Sequence, residues 1–344
     1  IRDSLSTKVV ASGLVHPWGV EPLPQGGYLV TERVGRLRYV DPRGGLTTVA
    51  GVPDVLARRQ GGLLDVALAP DFETSRRLYL TYAKPMGPNL TATAVSTAVL
   101  SEDMARLNRV AEIFVQSPPS SSPLHFGSRV VPDGDSLFVT LGEHSTRRER
   151  VLAQDLKTTY GKVIRIAPDG GLPGDNPFRG QRGTLGEIWS YGHRNPQGAG
   201  LDAQGRLWIS EHGAKGGDEV NLVQPGLNYG WPVISYGKHY SGFKIGEGTS
   251  KPGMEQPLHY WDPSIAPSGL VVYSGKLWPD WRGDVFVGSL KFDYLSRLDP
   301  DADWQEEKLK SSRTERVRDV KEAPDGSIWI LSVGKGAVMR LSPA

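Results

Sequence analysis

Residues 317–330, VRDVKEAPDGSIWI, predict an apolar strand, a tight turn at Pro-Asp-Gly and a second strand. Five further segments follow the same order of strand, turn and strand. They are 18–30 (WGVEPLPQGGYLV), 63–72 with 77–80 (LLDVALAPDF, RLYL), 128–139 (SRVVPDGDSLFV), 198–210 (GAGLDAQGRLWIS) and 269–273 with 279–287 (GLVVY, PDWRGDVFV). The chain therefore contains one structural unit repeated six times.

The spacing of the turns indicates the architecture. They fall at roughly 24, 70, 132, 202, 279 and 324, and the shortest spacing of about 45 residues is that of one propeller blade. We predict an all-β fold, a six-bladed β-propeller of four-stranded antiparallel blades, as a single domain over 1–344. Its inner strands should start near 17, 62, 127, 197, 269 and 317. The alternative is that Pro-Asp-Gly turns punctuate another kind of β protein.

Two further features refine this prediction. The stretches richest in Gly and Pro lie near 168–184 and 236–257, where we expect loop insertions. A strand around Thr7–Ala11 is expected to complete the last blade, which would cover an exposed sheet edge.

Composition narrows the classes of function. The chain lacks cysteine, which excludes disulfides, thiolate metal sites and a cysteine nucleophile. The net charge is only +2, with no block of like charges that would favour nucleic acid. No apolar run of about 18 residues is present, so no membrane span is expected. The chain begins at Ile1 rather than Met, which fits either removal of a signal peptide or a sequence trimmed at its start. The first alternative implies a periplasmic or secreted location.

Polar residues recur at one phase of the repeat. In a propeller blade, the start of the inner strand lies beside the end of the antiparallel second strand. Residues at these two positions should therefore converge, from several blades, on one end of the central channel, here called the mouth. Those before the inner strands include His16, Gln60, His125, Arg194, Asn195 and Arg316. Those after the second strands include Glu32, Arg33, Glu143, His144, Glu211, His212, Gly213 and Lys291.

Four cations are expected at the mouth. They are Arg194, Lys291, Arg316 and Arg318. Arg316 and Arg318 lie two residues apart on a predicted strand, so their side chains leave it on the same face. Such a cluster is balanced by an anion with several carboxylates or phosphates, or by local acids. We favour the ligand because three blades contribute, and the alternative is an ion-pair network with Asp319, Glu211 and Glu219.

His125 and Glu143 belong to one blade and should be neighbours across its first antiparallel pair. A carboxylate that holds an imidazole fixes its tautomer and keeps it basic, as a general base requires. The alternative is a channel-lining histidine that bonds to a turn carbonyl. His144, His239 and His259 are expected in loops or at the surface. The GxGxxG, Walker, HExxH and GxSxG signatures are absent.

Six segments carry a family resemblance. They are GGLLDVALAPDF (61–72), HFGSRVV (125–131), EIWSYGHRNPQG (187–198), EHGAKGGDEVN (211–221), NYGWP (228–232) and RVRDV (316–320). In this combination the sequence resembles the soluble, PQQ-dependent aldose sugar dehydrogenases of the glucose/sorbosone dehydrogenase family, nearly end to end. It is most similar to the bacterial aldose dehydrogenase branch.

The resemblance implies a role for each matching residue. His125 corresponds to the general base, Glu143 to the acid that supports it, and Arg194 to the arginine that polarises the quinone carbonyl of PQQ. The implied cofactor contacts are Arg194, Asn195, Lys291, Arg316 and Arg318. The implied calcium ligands are the main-chain carbonyls of Gly213 and Ala214, and the implied sugar-side residues are Gln60 and Trp261, the latter only across a gap.

The implied reaction is oxidation of the anomeric hydroxyl of an aldose to a lactone, with hydride transfer to PQQ and an electron acceptor that the resemblance does not identify. One position departs from the family. The glucose dehydrogenase branch has an acidic residue just before the base, where this chain has Leu124, which favours a broad aldose specificity. Two other functions stay open for a six-bladed propeller, a calcium-dependent lactonase or esterase and a non-catalytic extracellular binding protein.

Overall fold

Six four-stranded antiparallel sheets form the blades of a β-propeller in the computed structural model, which describes residues 5–344. Each inner strand packs against the inner strand of the next blade, and the last packs against the first, so the ring is closed. The predicted all-β, six-bladed architecture is confirmed. No helix within the described part of the chain is long and apolar enough to cross a membrane.

The strands follow one another along the chain from the inside of each blade outwards. The first is β1 (Leu5–Ala11). Blade 1 has β2 (Pro17–Pro22), β3 (Tyr28–Glu32), β4 (Arg36–Val40) and β5 (Leu46–Val49). Blade 2 has β6 (Leu63–Leu68), β7 (Arg77–Gly87), β8 (Leu90–Leu100) and β9 (Leu107–Val115). Blade 3 has β10 (Gly127–Asp133), β11 (Ser136–Leu141), β12 (Lys162–Ile166) and β13 (Ile188–Tyr191).

The remaining blades repeat this order. Blade 4 has β14 (Pro196–Leu201), β15 (Leu207–Glu211), β16 (Asp218–Val223) and β17 (His259–Trp261). Blade 5 has β18 (Pro267–Val272), β19 (Val285–Ser289), β20 (Tyr294–Asp299) and β21 (Gln305–Leu309). Blade 6 has β22 (Val317–Glu322), β23 (Ile328–Ser332) and β24 (Ala337–Pro343). A helical turn, α1 (Phe72–Ser75), and three 3-10 turns at Arg150–Gln154, Pro279–Trp281 and Pro300–Ala302 lie in the connections.

Blade 6 is completed by the N-terminal strand. β1 pairs antiparallel with β24, from Leu5 opposite Pro343 to Ala11 opposite Val338. The two ends of the described chain therefore meet in one sheet, and β1 covers the edge that β24 would otherwise expose. This confirms the strand that was predicted around Thr7–Ala11.

The blades are buried on both faces, which explains the unbroken apolar strands of the repeat. In β23, Ile328 and Ile330 pack in one cluster with Phe286 of blade 5. The alternate side chains face the other way, and Trp329 meets Tyr28 of blade 1 at 4.6 Å between ring centroids. Because successive strand residues point to opposite faces, one strand fills the space towards both neighbouring blades.

The Pro-Asp-Gly turn that marks the repeat has a defined geometry in blade 6. Gly326 has φ +86°, a left-handed conformation that L side chains rarely adopt. Its N–H donates to the carbonyl of Ala323 at 2.8 Å, and the Asp325 carboxylate accepts from Ser327 N–H at 2.9 Å. The turn residues thus fix the register of β22 against β23.

The insertions fall within blades 3 and 4. The stretch 168–184 lies between β12 and β13, and the stretch 236–257 lies between β16 and β17. Neither stretch contains an assigned helix or strand. Both connect outer strands, so the inner ring keeps its regular spacing.

Candidate active site

One hydrogen bond recurs at the mouth in every blade. The acceptor is a main-chain carbonyl one or two residues before the inner strand. The donor is the main-chain N–H of a residue that follows the paired part of the second strand. The six acceptors are His16, Gly62, His125, Asn195, Ala266 and Arg316. A register shift close to the start of the inner strand accompanies this bond in all six blades. The residues that the sequence placed at one phase of the repeat therefore occupy equivalent positions in the six blades. These positions lie at one end of the channel.

His125 and Glu143 form a buried pair in blade 3. The Nδ1 atom of His125 hydrogen-bonds to Oε1 of Glu143. The other carboxylate oxygen accepts from the indole N–H of Trp231 at 3.2 Å. When Nδ1–H donates to the carboxylate, the lone pair of the neutral ring lies on Nε2, where it can accept a proton.

Burial and charge keep His125 unprotonated at neutral pH. Desolvation lowers its pKa to about 4, the positive charge of Arg194 acts in the same direction, and Glu143 opposes both. Burial would raise the pKa of Glu143, but the hydrogen bond with His125 and the charge of Arg194 hold that pKa below its usual value. The pair is therefore a neutral imidazole held by a carboxylate, the arrangement of a general base.

Arg194 lies next to this pair. Its guanidinium is 5.2 Å from the ring of Trp231, and its Nη1 donates to the carbonyl of Gly213 at 2.5 Å. Nε of Arg194 is buried and has no hydrogen-bond partner among residues 5–344. Burial lowers the pKa of Arg194, while the charge of Glu143 opposes the shift. A buried donor without an acceptor fits a position that a ligand oxygen fills.

The other three cations lie around the mouth towards blades 5, 6 and 1. Nη1 of Arg318 donates to the side chain of Gln197 at 2.8 Å, while its buried Nε also lacks a partner within the described chain. Burial and the positive charges of neighbouring arginines lower the pKa of Arg318 to about 9. Arg316 is exposed and donates to the carbonyl of Leu290, next to the exposed Lys291. Arg316 and Arg318 line a cavity of about 270 Å³ together with Trp18 and Arg33.

The acids proposed as structural partners are engaged elsewhere. Asp319 pairs with Arg129 at 3.2 Å, and Glu211 pairs with His193 at 3.0 Å. Glu219 accepts a hydrogen bond from Asn221 at 3.1 Å. Over residues 5–344, no carboxylate oxygen lies within 4.0 Å of a side-chain nitrogen of the four mouth cations. Because none of the four cations forms a direct ion pair within these residues, an anionic ligand is favoured over a structural ion-pair network.

The loop that contains Gly213 and Ala214 is compact. A Cβ at Gly213 would lie 2.2 Å from the carbonyl oxygen of Gly216, so the loop closes only around glycine. The buried Asp218 accepts from Gly213 N–H at 2.7 Å and from Ile265 N–H at 2.7 Å, which joins the loop to blade 5. Main-chain carbonyls are hard oxygen ligands that suit calcium. No group of three or more His, Asp or Glu side chains in the described residues could hold a metal.

The two predicted sugar-side residues lie in different places. Oε1 of Gln60 accepts the main-chain N–H of His125 at 2.9 Å, and its side chain is exposed beside the base. Trp261 is only 5% exposed and packs in the core between blades 4 and 5, where its indole N–H donates to Glu306 at 3.1 Å. The structure therefore brings Gln60 to the site and does not bring the ring of Trp261 there.

The side chain of Asn195 connects two blades at the mouth. Its Oδ1 accepts from Gly127 N–H at 3.1 Å and from the side chain of Gln197 at 3.2 Å. It lies next to Arg194, as the sequence indicates, and it links the starts of the inner strands of blades 3 and 4.

Trp231 is a site residue that the sequence reasoning did not single out. It contacts both Glu143 and Arg194, and so connects the carboxylate of the base to the neighbouring cation. It lies 88 residues after Glu143 in the chain, in a connection between strands of blade 4. The segment NYGWP (228–232) was part of the family resemblance, and this was the only signal that could have identified it.

His144 lies in the loop after β11, one of the two places expected for it, but it is not a surface residue. Its side chain is fully buried, with Nδ1 at 3.0 Å from the carbonyl of Leu124 and Nε2 at 2.6 Å from Oε1 of Gln116. Both ring nitrogens are therefore engaged, and the ring supports the backbone at Leu124, next to His125.

The sequence matches the family model described as Glucose / Sorbosone dehydrogenase over residues 14–340. It is 41% identical, over 349 aligned positions, to the aldose sugar dehydrogenase YliI of Escherichia coli K12, covering 99% of this chain and 93% of the relative. The apo crystal structure of the soluble aldose sugar dehydrogenase of Escherichia coli superposes with a TM-score of 0.93 at 40% identity, over 99% of this chain and 100% of the other. The PQQ-bound aldose sugar dehydrogenase of Streptomyces coelicolor superposes with a TM-score of 0.79 at 27% identity, over 99% of both chains.

Proposed function

The chain belongs to the glucose/sorbosone dehydrogenase family, and we propose that it is a quinoprotein that oxidises the anomeric C1 hydroxyl of aldose sugars with PQQ and calcium. The observation that carries this proposal is that no side-chain nitrogen of Arg194, Arg316 or Arg318 has a carboxylate oxygen within 4.0 Å in residues 5–344, at the same end of the channel as the buried His125–Glu143 pair. PQQ is a quinone that carries several carboxylates, the kind of anion that such a cluster binds.

The positions of the residues support the roles that we propose for them. Nε2 of His125 takes the proton of the anomeric hydroxyl, while Glu143 holds Nδ1–H and stabilises the imidazolium that forms. PQQ, when bound, supplies the acceptor for the hydride that leaves C1, so that loss of a proton and a hydride converts the cyclic aldose to its lactone. Arg194 would stabilise, with its positive charge, negative charge that develops on the bound cofactor.

Several groups are available to hold the cofactor and the metal. Lys291, Arg316 and Arg318 would bind its carboxylates, and the Nε atoms of Arg194 and Arg318, which have no partner within residues 5–344, could donate to it. Asn195 lies beside Arg194 at the same edge. The carbonyl oxygens of Gly213 and Ala214 would bind calcium next to Arg194, in a loop that the missing Cβ keeps compact.

The sugar side of the site is less specific. Gln60 is exposed beside His125 and can donate its amide to a sugar hydroxyl. Leu124, the residue before the base, offers only apolar surface, and its carbonyl is engaged by His144. One side-chain donor and one apolar residue favour a broad range of aldoses over selection of glucose alone.

Reconstitution tests the proposed function. Purified apo-protein is mixed with PQQ and calcium, and an aldose is added with an artificial electron-accepting dye. We expect dye reduction that needs PQQ and aldose together. Hydrolysis of a lactone with calcium alone would establish the lactonase alternative. Neither activity, together with saturable binding of a sugar, would establish a binding propeller.

We expect Arg316→Ala and Lys291→Ala each to weaken PQQ binding by roughly 10- to 150-fold, the scale of one charge-assisted hydrogen bond. The measurement is a titration of apo-protein with PQQ, followed by quenching of tryptophan fluorescence. Arg313→Ala is the matched control, because this exposed arginine donates to Thr7 in the outermost strand of blade 6. Unchanged affinity in both mouth variants would show that these cations do not bind the cofactor.

Glu143→Gln is expected to slow cofactor reduction less than loss of the base, and to move the acidic limb of the pH profile downwards. Glu143 raises the pKa of His125, so its neutralisation lets burial and Arg194 lower that pKa further below about 4. His125 must be neutral to accept a proton, so the rate falls as pH falls through this pKa. An acidic limb that moves upwards would contradict the assignment of the pair.

A further inference from the structure

Arg129 is the buried centre of the propeller. It lies on the inner strand β10 with 1% of its surface exposed. Its Nη1 lies 3.2 Å from a carboxylate oxygen of Asp65 in blade 2 and 3.2 Å from one of Asp319 in blade 6. Its guanidinium lies 4.1 Å from the ring of Trp18 in blade 1. The side chain is covered by protein on all sides and has two acids for its one charge.

The remaining donors of Arg129 point to the residues that build the mouth. Its Nε donates to the carbonyl of Gln197 at 2.6 Å, and its Nη2 donates to the carbonyl of Arg318 at 2.9 Å. The side chain of Gln197 then accepts from Nη1 of Arg318 at 2.8 Å. One guanidinium therefore fixes the backbone of Arg318 directly and holds its side chain through Gln197.

We propose that Arg129 is a positioning residue that orients Arg318 towards the cofactor, an inference that rests on the proposed function. A guanidinium presents its donors in a rigid fork, so it can hold two carbonyls and two carboxylates in fixed directions at once. Arg129 and Arg318 carry like charges at close range, and the position of Arg318 is stable because Asp65 and Asp319 neutralise Arg129. Arg129 is thus paired with acids below the mouth, whereas Nε of Arg318 has no partner in the described chain.

The test is Arg129→Lys, which keeps the charge for Asp65 and Asp319 but loses the fork. We expect the affinity of apo-protein for PQQ, followed by fluorescence titration, to fall about tenfold, equivalent to about 1.4 kcal/mol. Arg165→Lys is the matched control in the same blade, because Arg165 pairs with Asp175 at 2.6 Å and lies 5.1 Å from the ring of Trp189. The control should bind PQQ as the parent does, even if both variants unfold at a lower temperature.

A double-mutant cycle with Arg318→Ala separates positioning from general loosening of the fold. If Arg129 acts through Arg318, Arg129→Lys should change PQQ affinity less than twofold once Arg318 is absent. An equal loss in both backgrounds would overturn the proposal. If Arg129→Lys does not fold, Gln197→Leu takes its place in the same cycle, because it removes the amide that holds Arg318 and keeps the main-chain carbonyl. A parent that binds no PQQ would refute the proposed function itself, whereas a parent that binds it and a variant that binds equally well would refute only this inference.

Discussion

His125→Ala is expected to lower the rate of aldose-driven cofactor reduction by about 10²–10⁴-fold, the usual contribution of a positioned general base. The imidazole is held by Glu143, and burial keeps it neutral, so its removal leaves the anomeric hydroxyl without a proton acceptor. The proposed cofactor contacts do not include His125, because they are Arg194 and residues of other blades. PQQ affinity and folding should therefore be nearly unchanged, and the loss should appear in the chemical step.

The measurement is a single turnover of the reconstituted protein, so that reoxidation of the cofactor cannot mask the chemical step. His239→Ala is the control, since the contacts that the structure shows for His239 are made by its backbone, within the 236–257 insertion. If the His125→Ala protein reduced its cofactor at the parental rate, the base would lie elsewhere. His212 would be the next candidate, although burial and the nearby arginines lower its pKa to about 3.

The parts of the fold that repeat were predictable from sequence. The inner strands begin at 17, 63, 127, 196, 267 and 317, within two residues of the predicted starts. The reason is physical. Each blade needs a strand with apolar side chains on both faces, followed by a tight turn, and this requirement is the same in all six blades. The proximity of His125 and Glu143 was predictable for the same reason, because they flank one antiparallel pair and lie 18 residues apart.

The parts of the site that depend on insertions and on side-chain direction were not predictable. Trp231 reaches Glu143 from a connection in another blade, and no periodicity relates the two. Trp261 is the last residue of β17, and its ring packs in the core between blades 4 and 5. A spacing argument does not determine which face of an outer strand meets the core. His144 follows Glu143 directly, yet its side chain is buried against Gln116.

Arg129 shows a further limit of sequence reasoning. It lies in HFGSRVV (125–131), three residues before the Pro-Asp-Gly turn that begins at Pro132, and the sequence alone shows only an arginine on a predicted inner strand. Its partners Asp65 and Asp319 lie 64 and 190 residues away in the chain and become neighbours only when the ring closes. A charge network on the axis of a propeller is a property of the closed ring rather than of any single repeat.

Removal of calcium is expected to abolish the PQQ-dependent activity, and added calcium should restore it. The loop at Gly213 and Ala214 would hold the ion with main-chain carbonyls, and Arg194 lies against it through its bond to the Gly213 carbonyl. Loss of the ion should therefore disturb both the metal site and the cation that meets the cofactor. The measurement is dye reduction after exhaustive chelation, and again after titration with calcium. Full activity without calcium would exclude the metal from the reaction.

A substitution in the loop tests the same site without a chelator. Gly213→Ala places a Cβ 2.2 Å from the carbonyl oxygen of Gly216, so the loop must open. We expect the calcium concentration for half-maximal activity to rise by about 10–100-fold, as happens when the groups that orient metal ligands are changed. Gly174→Ala is the control, because a Cβ there meets only the end of the Arg179 side chain, at 3.7 Å. An unchanged calcium requirement in Gly213→Ala would place the ion elsewhere, since carbonyls displaced with the loop cannot keep their distances to the metal.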